Sequence, residues 1–67
     1  MDGIEIKIAR IRAGLKQYEL AQRAGIREPE LSMIETGRRE PSPETAARIA
    51  EALETAGAEP ATAGTAT

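Results

Sequence analysis

The sequence predicts an all-α fold, a compact bundle of four short helices, and three features carry that expectation. Apolar residues recur at spacings of three and four, the period of a helix with one buried face. Strand formers are scarce: Val, Phe and Trp are absent, Tyr18 is the sole aromatic residue, and the isoleucines lie in Ala- and Glu-rich surroundings. Glycines at 14, 25, 37 and 57 punctuate the helical segments, where a left-handed residue can stop a helix. With 67 residues the chain has room for one domain and one core, which must be assembled from Ile, Leu, Met and Ala.

Ile4, Ile8, Ile11 and Leu15 follow one another at intervals of four, three and four, which predicts a first helix over residues 3–13 with these side chains inward. Asp2 can cap it, Glu5 can complete a capping box, and Gly14 is its expected stop. Ile4, Ile6 and Ile8 also alternate as in a strand, but a lone strand would have no partner. The second helix is expected from Gln17 to Ala24, burying Leu20, Ala21 and Ala24 and ending at Gly25. Lys16 is a poor N-cap, so this helix must lean on tertiary packing. A third helix begins near Glu28 and ends before Gly37, with Pro29 in its first turn and Glu28 and Glu30 at the positive end of its dipole. Leu31 and Ile34 point inward and Ile26 closes the corner.

Ser42, Pro43 and Glu44 are the clearest start signal, an N-cap followed by proline and an acid in the first turn. The fourth helix is expected to run to about Thr55 and stop near Gly57, with Ala46, Ala47, Ile49, Ala50 and Leu53 as its apolar stripe. The expected core is Leu15, Leu20, Ala21, Ala24, Ile26, Leu31, Ile34, Ala47, Ala50 and Leu53. Residues 58–67 offer nothing large to bury and are expected to be a disordered tail.

Cys and His are both absent, which excludes disulfides and thiol or imidazole chemistry and leaves no zinc ligand set. No catalytic residue, metal or cofactor is expected, because nothing suggests a cleft or an activated nucleophile. No apolar run approaches the length of a membrane span and the N-terminus lacks signal-like features, so a cytoplasmic location is the expectation. The net charge is −2, yet residues 7–39 hold eight basic against four acidic side chains. A basic face can therefore coexist with an acidic total.

Two helices joined by a short corner at Gly25 have the spacing of a helix-turn-helix, in which the first helix buttresses the second so that it can enter a major groove about 12 Å wide. The stretch from Gly14 to Ile26, followed by Leu31 to Arg39 and by Pro41-Ser42, closely resembles the Cro/C1-type (XRE-like) helix-turn-helix family over roughly residues 4–55. Gln17, Glu19-Leu20-Ala21, Gly25, Leu31-Ser32, Glu35, Gly37-Arg38 and Pro41 carry the likeness. The resemblance implies a lambda repressor-like DNA-binding domain over residues 1–57. It also implies a transcriptional regulator that binds double-stranded DNA, with a palindromic operator as the expected target.

Carried onto this sequence, the resemblance implies that Gln17 meets a phosphate at the start of the buttress helix, where free amides attract anions. Lys16, Arg38 and Arg39 are expected to hold the DNA backbone, with the Tyr18 hydroxyl in reach of a phosphate. Arg27, Glu28, Pro29, Ser32 and Met33 occupy base-reading positions, although Met33 suits partial burial equally well. Arg27 is the natural donor to guanine, whereas Glu28 and Glu30 repel phosphates and Pro29 offers only apolar contact with a thymine methyl. Arg10 and Glu35 match a structural ion pair between the first helix and the end of the recognition helix.

The acidic tip also suits a second reading, a protein-interaction or antitoxin-like module that keeps the fold and binds DNA weakly. A homodimer, weak or stabilised on DNA, is the expected assembly. Ile6 and Ile49 are candidates for its surface, with core packing the stronger reading of both.

Overall fold

The computed structural model describes residues 2–58. Four helices follow in chain order: α1 (Gly3–Arg12), α2 (Gln17–Ala24), α3 (Glu28–Glu35) and α4 (Pro43–Ala58). Helix α2 packs on both α3 and α4, while α1 lies across α3 and α4. The expected tail lies outside the described residues apart from Ala58, the last residue of α4.

The first three helices end in the same way. At Gly14, Gly25 and Gly37 the backbone turns left-handed, with φ of 75°, 74° and 80°, and the next amide reaches back over the last turn. Leu15 N–H donates to Arg10 O, Ile26 N–H to Ala21 O and Arg38 N–H to Met33 O. Each bond satisfies a carbonyl that the helix end would otherwise leave open. Helix α4 does not end where expected. It continues through Gly57 to Ala58, because an exposed glycine inside a helix costs only about 1 kcal/mol relative to Ala.

The starts of α1 and α2 share a device that the sequence reading credited to α1 alone. Glu5 accepts the Asp2 N–H at 2.9 Å, and Glu19 accepts the Lys16 N–H at 2.7 Å. Lys16 cannot supply a cap oxygen, but the carboxylate three residues later still satisfies one amide and suits the helix dipole. Ser42 caps α4 through Oγ, which accepts the Thr45 N–H at 3.1 Å.

Packing corrects the expected register of two helices. In α1 the inward residue is Ile6, 1% exposed, whereas Ile4, Ile8 and Ile11 are 60, 46 and 58% exposed. The helix is rotated so that Gly3, Ile6 and Arg10 face inward. Gly3 approaches the end of α3 so closely that a Cβ there would lie 2.1 Å from the Ile34 carbonyl oxygen. In α4 the core residues are Ile49, Ala52 and Ala56. Ala47 is exposed and Ala50 only half-buried. Ile49, fully buried, takes the inward position, which turns Ala47, two residues earlier, outward. Ile6 and Ile49 are thus both core and do not form a self-association surface.

The remaining core agrees with expectation. Leu20, Ala21, Ala24, Leu31 and Ile34 are buried, and Leu15, Ile26 and Leu53 pack against them from the edge.

Candidate nucleic-acid interface

Short helices with a small core hold α3 in place through one polar cluster. The Glu35 carboxylate accepts from Arg10 Nε at 2.8 Å, from Arg10 Nη2 at 3.3 Å and from the Gln17 side-chain amide at 3.2 Å. Arg10 Nη1 donates to the Leu15 carbonyl at 2.9 Å. The Arg10 and Glu35 side chains are 12 and 3% exposed, and no buried side-chain polar atom among the described residues lacks a partner. Three elements meet at this carboxylate: α1 through Arg10, the start of α2 through Gln17 and the end of α3 through Glu35 itself. A desolvated pair that is also hydrogen-bonded fixes geometry even where its net contribution to stability is small.

Helix α3 buries Leu31, Ile34 and Glu35 and presents the rest. Glu28, Pro29 and Met33 are exposed and Ser32 is half-buried. Pro29, Ser32, Met33 and Thr36 lie three, four and seven residues apart, so they share one outward face. Arg27 stands at the N-cap position in extended conformation, and its side chain is exposed next to Glu28. The Thr36 hydroxyl donates back to the Ser32 and Met33 carbonyls, which finishes the last turn.

Arg38 and Arg39 follow directly. Both of their amides donate to Met33 O, at 2.9 and 3.2 Å, so the backbone bearing these two exposed cations is tied to α3. The Gln17–Glu35 bond brings the start of α2 to this same end. Lys16 immediately precedes Gln17, and Arg38 and Arg39 follow Glu35 by three and four residues, so both cationic segments flank the residues that this bond joins. Tyr18 is half-exposed one residue further on. Gln17 and Tyr18 occupy the first two positions of α2, whose amides have no helix carbonyl behind them.

Several contacts at this site were not foreseen from the sequence. Glu19 belongs to the run that carries the family likeness, but its closing of the α2 start, signalled by its place three residues after position 16, was not read there. Thr36 caps the end of α3, and Leu15 lends its carbonyl to Arg10. Gly3 carries no local signal, since its role depends on where the end of α3 lies.

A buttress helix, a left-handed corner at Gly25 and a second helix with one face in the core and one in solvent define a helix-turn-helix domain, an architecture capable of binding DNA. The helix-turn-helix family model matches residues 6–59. The chain belongs to that family, as a domain of the Cro/C1 (XRE-like) type. No curated protein and no solved structure matches the chain. No helix among the described residues is long and apolar enough to cross a membrane.

Proposed function

We propose that this chain is a small cytoplasmic transcriptional regulator that binds a specific double-stranded DNA sequence with α3 in the major groove. The observation that carries the reading is the outward face of α3, left exposed by the described residues and followed at its C-terminal end by the exposed Arg38 and Arg39. In this reading Pro29, Ser32 and Met33 face base edges with Arg27 and Glu28 at the entering tip, and Arg27 donates to guanine O6 and N7. Lys16, Arg38 and Arg39 neutralise phosphates. The free amides at the start of α2 receive another phosphate, and the Tyr18 hydroxyl lies one residue on. Gln17 keeps a role there, because its side-chain nitrogen carries two hydrogens and only one is given to Glu35. The target is a palindromic operator bound by two copies, each placing one α3 in successive major grooves.

Selection of bound duplexes from a random library tests the proposal, with wild type, Arg38→Ala and Met33→Ala run in parallel at several salt concentrations. The expected result is a palindromic motif whose salt slope falls by about one for Arg38→Ala. Met33→Ala should relax preference at one position of each half-site. Absence of enrichment at every salt concentration refutes the proposal and favours a module that binds a basic protein through Glu28 and Glu30.

A further inference from the structure

Helix α1 is apolar on two opposite sides. Ile6 fills the core, and Ile4, Ile8 and Ile11 form a separate stripe facing solvent. Their spacing of four and three residues puts them in one row. A helix that is apolar on both sides is normally covered on both. Next to Ile8 the stripe opens into a groove toward the end of α4, lined by Ala9 and Leu53 among others. Three half-exposed isoleucines present roughly 300 Å², the scale of the largest apolar patch on a typical monomer, which is often functional. This patch lies outside the helix-turn-helix pair, so DNA bound at α3 leaves it uncovered.

We propose that the stripe is the self-association surface, covered by α1 of a second copy running antiparallel about a two-fold axis near Ile8. The proposal rests on the dimer in the functional reading above and names its contact. Charge selects this occupant. Glu5 and Arg12 are both exposed, lie seven residues apart and line the same groove, which places them on the same edge of the stripe. In an antiparallel pair like edges face each other, so Glu5 of each copy meets Arg12 of the other, twice by symmetry. The chain's own residues 59–67 contain no Ile, Leu, Met or aromatic residue and offer no match in size.

Area sets the strength. The stripe and its charged edge amount to roughly 500 Å² per copy, below the roughly 800 Å² of a standard stable interface. Lys7, on the other edge, approaches its own copy across the axis and weakens the contact further. The pair is therefore a concentration-dependent dimer, strengthened when adjacent half-sites hold two copies together.

Sedimentation equilibrium of the full chain without DNA, from about 10 μM to 1 mM, tests the assignment. The expected result is a monomer–dimer equilibrium whose Kd rises about tenfold or more in Ile8→Glu and, separately, in Ile11→Glu, with unchanged helical circular dichroism. Arg12→Glu should weaken the dimer, and Met33→Ala should leave it intact. A wild-type chain that stays monomeric throughout, or a dimer that persists in both isoleucine variants, overturns the proposal. Binding of the same variants to a single half-site duplex separates the two readings. A chain that binds the half-site but never pairs through α1 refutes this surface alone, whereas one that pairs and binds no duplex supports the surface and removes the DNA reading.

Discussion

Replacing Glu35 by Ala removes the acceptor at which α1, α2 and α3 meet, and the size of the loss follows from what is left behind. The Arg10 guanidinium, on a side chain 12% exposed, would keep only the Leu15 carbonyl, while Gln17 would lose its side-chain partner. Stranding one member of a buried ion pair costs about 3–5 kcal/mol. A chain of this length has roughly 3–10 kcal/mol of total stability, so the variant should be at the edge of folding. In urea, with a slope of about 1 kcal/mol/M for so small a domain, the midpoint should fall by about 3 M or the transition should vanish. Glu35→Gln keeps an acceptor oxygen and should lose less, about 1.5–3 kcal/mol. The double variant Arg10→Met with Glu35→Leu removes both charges together and should be more stable than Glu35→Ala alone. A Glu35→Ala midpoint within about 0.5 M of wild type, or a double variant whose loss equals the sum of the two single losses, would refute the idea that this carboxylate couples three helices.

Two further predictions concern α1, both measured by thermal or urea unfolding at low micromolar concentration so that self-association contributes nothing. Ile6→Ala should cost about 2–5 kcal/mol, whereas Ile4→Ala should stay within about 0.5 kcal/mol of wild type; the opposite ranking would return the helix to the register read from isoleucine spacing. Gly3→Ala should destabilise by about 1–3 kcal/mol, because its Cβ would meet the backbone oxygen of Ile34. Gly57→Ala, at an open helical position, should instead stabilise by about 0.5–1 kcal/mol.

The extents of the helices were legible because their signals are local. Gly14, Gly25 and Gly37 supply the left-handed residue that closes a helix, and Ser42-Pro43 opens one, wherever the neighbours lie. The α2–α3 pair was legible for the same reason, since a helix of two turns with Leu20, Ala21 and Ala24 on one side can face only one way. The end of α4 was not, because Gly57 lacks the positive φ of the other three. A glycine marks a stop only where the following chain turns back, and that depends on residues beyond it.

The register of α1 failed for a more instructive reason. Isoleucine spacing placed Ile8 inward, and the expected pair with Glu35 placed Arg10 inward, yet residues two apart lie about 200° around a helix. Both readings cannot hold. The carboxylate settles the matter: Arg10 reaches it with a bidentate geometry, and a charge at that depth is costly to leave without a counter-charge. An isoleucine turned to solvent loses roughly 1.5–3 kcal/mol of burial and leaves nothing unsatisfied. On a helix with two apolar sides, the polar anchor and the glycine at the tight approach therefore fix the rotation. The same argument links the buried cluster to the surface: whatever holds Arg10 on Glu35 also holds Ile4, Ile8 and Ile11 outward. The orientation of α3 for DNA and the exposure of the α1 stripe for a second copy accordingly depend on one carboxylate. Glu35→Ala should disturb both, whereas Ile8→Glu should disturb only the second.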